Sequence, residues 1–417
     1  MRDLKTSGVG WIGKIPASWA CKKIKYCYQF ETGFTPDTSI PEYYAPDGAA
    51  WVSISDLTSA GKTVDSSAEG ISDIYLKQKH PKPVPEGSLL YSFKLSVGKC
   101  AFAERPLFTN EAIASFLPSS ENDLGYLYYA SSLIINNANE NIYQAKLLNS
   151  FLISNAPIPV PPVPEQKEIA HYLDLRCFEI DGLNATIEGQ ISVLERYRAS
   201  VIHEAVTKGL NPDVPKKPSG IDWIGDIPEK WEVKRLKYVI DFFDNLRAPI
   251  EASLRSQEGE ILYPYYGASG AIDVIDNYNV TGEMLLVGED GANLVRRTLP
   301  LVYLATGRYW VNNHAHILHP VSGNLQYYFY ALEACDYTLY ITGSAQPKLS
   351  QQNLMNVWLP VPPVDEQVAI GDYLNSRIVA IDAVLETKRK QIDVLKRRQQ
   401  SLIYEYVTGK RRVGKEI

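Results

Sequence analysis

The chain has 417 residues, 45% hydrophobic and 22% charged, an ordinary globular composition with room for two or three domains. Its 42 lysines and arginines against 48 aspartates and glutamates give −6, which speaks against coating nucleic acid by bulk charge but not against a local basic surface. No apolar run nears the ~20 residues of a membrane span, the start MRDLKTSGVGW has no signal-peptide core, and Cys21, Cys27, Cys100, Cys177 and Cys335 form no C-x-x-C pair, so a reduced cytoplasmic chain is expected.

In chain order, residues 7–26 read SGVGWIGKIPASWACKKIKY. Short apolar runs bounded by turn residues follow, AAWVSISDL (49–57) and GSLLYSF (87–93), and predict a strand-rich mixed domain. A proline-rich lead from Pro159 then opens a helix, with Glu165 and Gln166 in the first turn, where the helix dipole favours them. Leu173, Ile180, Ile187, Leu194 and Val201 recur every seven residues, the spacing of a coiled-coil seam. Unbroken, ~42 residues at ~1.5 Å each make a rod of ~60 Å. Gly182 and Gly189 weaken its middle by ~1 kcal/mol each relative to alanine and allow a bend.

At residue 219 the chain begins again. SGIDWIGDIPEKWEVKRLKY (219–238) repeats the opening frame at an offset of 212, with Trp11/Trp223, Gly13/Gly225, Pro16/Pro228 and Trp19/Trp231 matching. A further strand-like run, EMLLVGED, covers 283–290. PVPPVDEQ from Pro360 repeats the proline-rich lead at an offset of 201, and the register continues to SLIYEYVT (401–408) opposite SVIHEAVT (200–207). Leu374, Ile381, Leu395 and Leu402 carry the second sevenfold stripe, with Lys388 in its middle. Two helices with matching stripes are expected to pair with each other; the alternative is two amphipathic helices, each packed on its own domain. Residues 30–155 and 242–355 show no register with each other, so one frame carries two different inserts.

Catalytic signatures are not visible: no N-P-P-Y or D-P-P-Y tetrapeptide, no glycine-rich nucleotide loop and no Walker motif. Pro212-Asp213 with Glu232-Val233-Lys234 has nuclease-like spacing, but it straddles a linker, and the first copy has Ala20-Cys21-Lys22 instead. His314, His316 and His319 could suggest a metal, yet their spacing rarely presents three ligands to one ion, and packing or DNA contact is the preferred reading. Glu289 and Asp290 with His314 could form an acid–base set, although nothing in the sequence places them together.

Nearly the whole chain resembles the specificity subunit of a type I DNA restriction–modification system. The resemblance is carried by SG-x-x-WIG-x-IP-x-x-W at 7–19 and 219–231, FETGFTP (30–36) with Tyr43-Tyr44 and WVSISDL (51–57), and YPYYGASGAIDVIDNY (263–278). LLVGEDGAN (285–293), WVNNHAHIL (310–318), LPVPPVDEQ-x-x-I (359–370) with its counterpart from Ile158, and VTKGL (206–210) complete it. The resemblance implies an α+β fold with a pseudo-twofold internal repeat. Target-recognition domains would occupy 1–160 and 218–360, long helices 161–210 and 361–417, the latter with a basic tail, and a linker 211–217. The helices would pair as an antiparallel coiled coil that holds two half-site readers apart and docks partner subunits. It further implies a non-catalytic subunit that binds double-stranded DNA with a bipartite target, two methyltransferase subunits, and restriction or translocase subunits where these exist. No cofactor is expected in this chain: S-adenosylmethionine would sit in the methyltransferase, ATP and Mg²⁺ in a nuclease partner.

DNA contacts must be found within an acidic chain. Cations against acids number 14 to 15 over 1–160, 7 to 9 over 161–217, 10 to 16 over 218–360 and 11 to 8 over 361–417. Candidate contacts are Lys77, Lys79, Lys82, Lys94, Lys99 and Arg105 in the first domain. In the second they are Arg247, Arg255, Asn293, Arg296, Arg297, Arg308, Gln346 and Lys348; arginine can bridge guanine, while asparagine or glutamine can pair adenine. For each singly, a solvated surface charge is the competing reading. Lys388-Arg389-Lys390 and Lys396-Arg397-Arg398 read as a solvated helix face or partner docking before DNA backbone. The competing functions are a single-chain DNA-modifying enzyme with an unrecognised site and a DNA-independent helical scaffold.

Overall fold

The computed structural model describes residues 3–94, 96–140, 146–255, 257–343 and 345–414. The chain folds into two units: residues 1–186 with 391–417, and residues 187–390. Each unit holds one strand-rich domain, part of a first long helix (Val163–Lys208, 46 residues) and part of a second (Val364–Val407, 44 residues). At ~1.5 Å per residue each helix is roughly 65–70 Å long. The first runs unbroken through Gly182 and Gly189, so the bend allowed by the sequence does not interrupt it.

In the first unit a five-stranded sheet runs in the order Phe30–Thr32, Ile113–Phe116, Leu89–Ser92, Cys100–Ala103, Thr63–Val64, antiparallel except for the last pairing. Its central strands are buried on both faces because side chains alternate across the pleat. Leu89, Tyr91, Ala114 and Phe116 meet Ile24, Tyr28, Leu127 and Ile153 on one side. Leu90, Ala101 and Ile113 meet Val52, Leu57 and Leu107 on the other. A second, small sheet pairs Phe108–Thr109 with Tyr44–Val52 and Gly70–Ile71. The run 49–57 is not one extended segment: Ser53 and Asp56 form a capping box, and the chain turns into the helix Ile54–Ser59.

The second unit repeats the sheet. Ile240–Phe242, Ala315–Pro320, Met284–Gly288 and Val302–Ala305 lie in the same antiparallel order as the first four strands above. A separate four-stranded sheet joins Gly270–Ile275, Tyr263–Gly267, Arg308–Val311 and Val280–Thr281. The offset of 201 also reaches further upstream than the sequence suggested. Asp123 caps Leu124–Ala130 as Asn324 caps Leu325–Ala334, and Asn149 caps Ser150–Asn155 as Ser350 caps Gln351–Met355. The lack of register between 30–155 and 242–355 is therefore corrected from Asp123 and Asn324 onward.

Within each unit the long helices pair antiparallel. In the first, the rings of Tyr172 and Tyr406 stand 4.6 Å apart and Gln399 donates to Asp181 at 3.0 Å, so one helix ascends as the other descends. In the second, Arg389 meets Glu195 at 2.8 Å and Arg198 meets Asp382 at 2.8 Å. Leu173, Ile180, Val201, Leu374 and Ile381 are buried, whereas Ile187, Leu194, Leu395 and Leu402 are half-buried. Polar residues occupy the middle of both stripes, with Asn184 buried in the first helix and Lys388 half-buried in the second.

Candidate nucleic-acid interface

Each strand-rich domain is fastened to the helices by the same joint, built from the repeated frame. Trp19 Nε1 donates to Glu165 at 2.8 Å, and Trp231 Nε1 to Glu366 at 2.8 Å. Gln166 accepts from the Asp123 amide at 2.8 Å and donates to Pro161 O at 2.9 Å. Gln367 does the same for Asn324 at 3.0 Å and Pro362 O at 2.9 Å. Tyr126 donates to Pro159 O and Val407 O, and Tyr327 to Pro360 O and Val206 O, tying the end of one helix to the start of the other within each unit. Beyond those ends the chain turns away through Gly209 (φ +73°) and Gly409 (φ +69°), packed on Trp231 and Trp19; a Cβ at 409 would lie 2.4 Å from Pro16. Glu165 and Gln166 thus do more than favour the helix dipole, and a tryptophan with a distant Glu-Gln after the proline-rich lead, present in both copies, is the signal that could have revealed it.

In the first domain, Lys77 and Lys79 lie exposed in the last turn of Asp73–Lys79, above an aromatic cluster of Phe34, Tyr43, Tyr75 and Phe108. Lys82 pairs with Glu31 at 3.3 Å, and Lys94 with Glu111 at 3.4 Å. Arg105 donates to the Asp65 carbonyl, and Lys99 lies exposed at the end of the turn after Ser92. Gly33 of FETGFTP is pressed on the Thr109 backbone, where a Cβ would sit 1.9 Å from the carbonyl oxygen.

The second domain spends most of its candidate cations internally. Arg247 bonds Asp244 and Glu289, Lys348 meets Glu289 at 3.1 Å, and Arg255 holds Asp273 at 2.8 Å beneath Tyr265. Arg297 donates to the Glu333 carbonyl and carboxylate. Asn293 clamps its own loop through Leu299 and Pro300. Arg308 stacks on Tyr278 yet stays exposed, as do Arg296 and Gln346. Burial works to raise the Glu289 carboxyl, but hydrogen bonds from Lys348 and Arg247 outweigh it and hold the group low. Asp244 is held low likewise, by His316 and the Ile317 amide against its burial. Burial raises Glu333 despite Arg297.

The three histidines go to different partners. His314 Nδ1 lies 2.6 Å from Asp290, buried His316 bridges Asp244 and the Leu349 carbonyl, and His319 faces Pro320 O. Among the described residues no cluster of three potential metal ligands forms. His314 and Asp290 are brought together after all, an arrangement that the sequence left open; they tie a loop, with the Glu289 amide donating to His314 O at 2.9 Å.

Along the helices, exposed apolar residues recur at the offset of 201: Phe178 and Val379, Leu183 and Val384, Val193 and Val394. The first unit also has a cleft of about 400 Å³ lined by Tyr172, Arg176, Leu183, Arg398 and Arg411. In the second unit the place of Arg398 is taken by Tyr197, whose hydroxyl accepts from Arg377 at 2.8 Å.

The family described as type I restriction modification DNA specificity domain matches twice, over residues 16–195 and 228–395. The chain belongs to that family. It is 24% identical to the type I restriction enzyme MjaIX specificity subunit of Methanocaldococcus jannaschii, over 96% of this chain and 95% of the relative. To the EcoprrI specificity subunit of Escherichia coli it is 22% identical, over 87% and 88%. A solved chain from work on complex assembly and conformational transition of the type I restriction–modification system superposes at a TM-score of 0.67 with 16% identity, covering 94% of this chain and 98% of that one, a likeness of fold. As a specificity subunit, the chain serves DNA recognition within a restriction–modification complex rather than catalysis.

Proposed function

We propose that this specificity subunit reads a bipartite double-stranded DNA target, with half-site readers at 1–160 and 218–360, helical regions at 161–210 and 361–417, and a linker at 211–217. The long helices set the spacing of the half-sites and dock methyltransferase subunits. The observation that carries the reading is the joint built twice: Trp19, Glu165, Gln166 and Tyr126 in one unit, Trp231, Glu366, Gln367 and Tyr327 in the other, beneath outer strands that differ. Two equal mounts for two unequal readers suit a target with two different halves. The recurring exposed positions Phe178/Val379 and Leu183/Val384 support two docked methyltransferase copies. S-adenosylmethionine then belongs to those subunits, and ATP and Mg²⁺ to restriction or translocase subunits that join the same complex. The cytoplasm, where the chromosome lies, is the place of action.

Among the described residues, Lys77, Lys79, Lys99, Arg105, Arg296, Arg308 and Gln346 are candidate contacts that are exposed and whose side chains no carboxylate engages. They are the leading DNA contacts, ahead of Arg247, Arg255, Arg297 and Lys348. Sequencing the methylated sites of the source cells with and without this gene tests the function: loss of one bipartite methylated motif supports it, and an unchanged methylome contradicts it. Arg296→Ala should weaken target binding by the native complex about tenfold or more, as loss of one good base or phosphate contact does.

A further inference from the structure

The repeated frame keeps more than its buried tryptophans. Its exposed positions fall into two sets. At Lys14/Asp226, Ala17/Glu229 and Ser18/Lys230 the copies differ in charge, as solvated positions are free to do. At the end of the frame they agree, at Lys22/Lys234, Lys23/Arg235, Lys25/Lys237 and Tyr26/Tyr238, all exposed except Lys234 and Arg235, which are half-buried.

The agreement extends to geometry. Ile24 and Leu236, both fully buried, anchor the short 3-10 turns Ile24–Tyr26 and Leu236–Tyr238. Each turn presents a tyrosine that is 68% exposed, with the preceding lysine over its ring at 5.3 Å in the first copy and 5.1 Å in the second. Behind the turn an asparagine steadies the cations. Asn155 accepts from Lys23 at 3.3 Å and Lys25 at 3.1 Å, and Asn356 accepts from Arg235 at 3.1 Å. A neutral amide positions these side chains without cancelling their charge. Among the described residues no carboxylate pairs with Lys22, Lys23, Lys25, Arg235 or Lys237; Lys234 is shared with Glu232.

We propose that these two turns are matched, sequence-independent clamps on the phosphodiester backbone of duplex DNA, with the lysines as point charges and the tyrosine hydroxyl as a donor. The proposal rests on the DNA-reading function above and adds residues outside the divergent inserts. A surface present in both copies faces something common to both half-sites. Base edges differ between half-sites, whereas phosphates do not, and phosphate contacts fix register without reading sequence. In a chain of net −6, cations kept at matching places complement that polyanion better than they complement a generic protein surface.

The test uses the native complex purified through a tag on this chain, and two duplexes of equal length, one carrying the methylated motif and one with it scrambled. Affinities are measured over a range of salt for the wild type, for Lys25→Gln with Lys237→Gln, and for Tyr26→Phe with Tyr238→Phe. The lysine pair should lower affinity for both duplexes by the same factor and reduce the logarithmic salt slope by about 2, near 0.9 per phosphate. The tyrosine pair should weaken both duplexes equally while leaving that slope unchanged. Unaltered affinity and slope in the lysine pair overturn the proposal. Loss of partner subunits from the purified complex, with DNA affinity per complex unchanged, overturns it in favour of a protein interface. A wild type with no preference between the duplexes defeats the DNA-reading function itself, whereas a discriminating wild type with indifferent variants defeats only the clamps.

Discussion

Trp19 and Trp231 are among the largest fully buried side chains, and each gives its one polar hydrogen to a glutamate in a helix's first turn. Glu366→Ala leaves that indole N–H buried without this acceptor, so a loss of about 1–3 kcal/mol in the second unit is expected from denaturant titration. A second residue-scale expectation concerns acid. Asp244 and Glu289 are held below their ordinary values in the fold. Their contribution is therefore present above the unfolded values of ~3.9 and ~4.3 and is lost as pH falls through the folded ones. The wild type should keep its denaturation midpoint from pH 7 to 5 and lose it steeply below ~4. Asp244→Asn should start less stable at neutral pH and lose less on acidification; a parallel acid limb would contradict the assignment. At this scale the sequence was least informative. Arg247, Arg255 and Arg297 look like any exposed cation in the string, and only the fold brings Glu289, Asp273 and Glu333 to them.

The long helices were the most legible elements, because a sevenfold apolar stripe has one economical solution, burial against a matching stripe. The shared sheet was not legible. Ala315–Pro320 and Ile113–Phe116 hold equivalent places, but a strand buried on both faces accepts any apolar residue of suitable size, so no register survives. Ile54–Ser59 is hidden in the sequence because the capping box at Ser53 outweighs the β-like run leading into it. Gly182 and Gly189 carry an element-scale prediction. Both are exposed within the unbroken first helix, and a Cβ on either would meet open space. Gly182→Ala and Gly189→Ala should each add about 1 kcal/mol and raise the melting temperature by a few degrees. A loss of stability would show that the helix needs local give there.

At the scale of the whole molecule, the charge of −6 acquires a location. The second recognition domain is the most acidic stretch, with 16 acids against 10 cations, and four of those acids, Asp244, Glu289, Asp273 and Glu333, pair with its own arginines. The recurring cations lie instead at the frame, Lys25 and Lys237 among them. Exposed apolar positions such as Phe178 and Val379 lie along the two long helices. Phe178→Asp with Val379→Asp should release methyltransferase subunits in co-purification while leaving the helix content of this chain unchanged; full retention would place docking elsewhere.

A helical ruler that holds two fixed readers apart should respond to a change in its own length. Its most direct test inserts seven residues into each long helix, after Thr186 and after Lys390, where the two units divide. Seven residues are two helical turns, so both stripes keep their faces while each helix lengthens by ~10 Å, equivalent to as much as three base pairs at ~3.4 Å each. Sequencing of methylated sites in cells carrying this variant should show the same half-site bases with a longer spacer. An unchanged spacer, or altered half-site bases, would contradict the account.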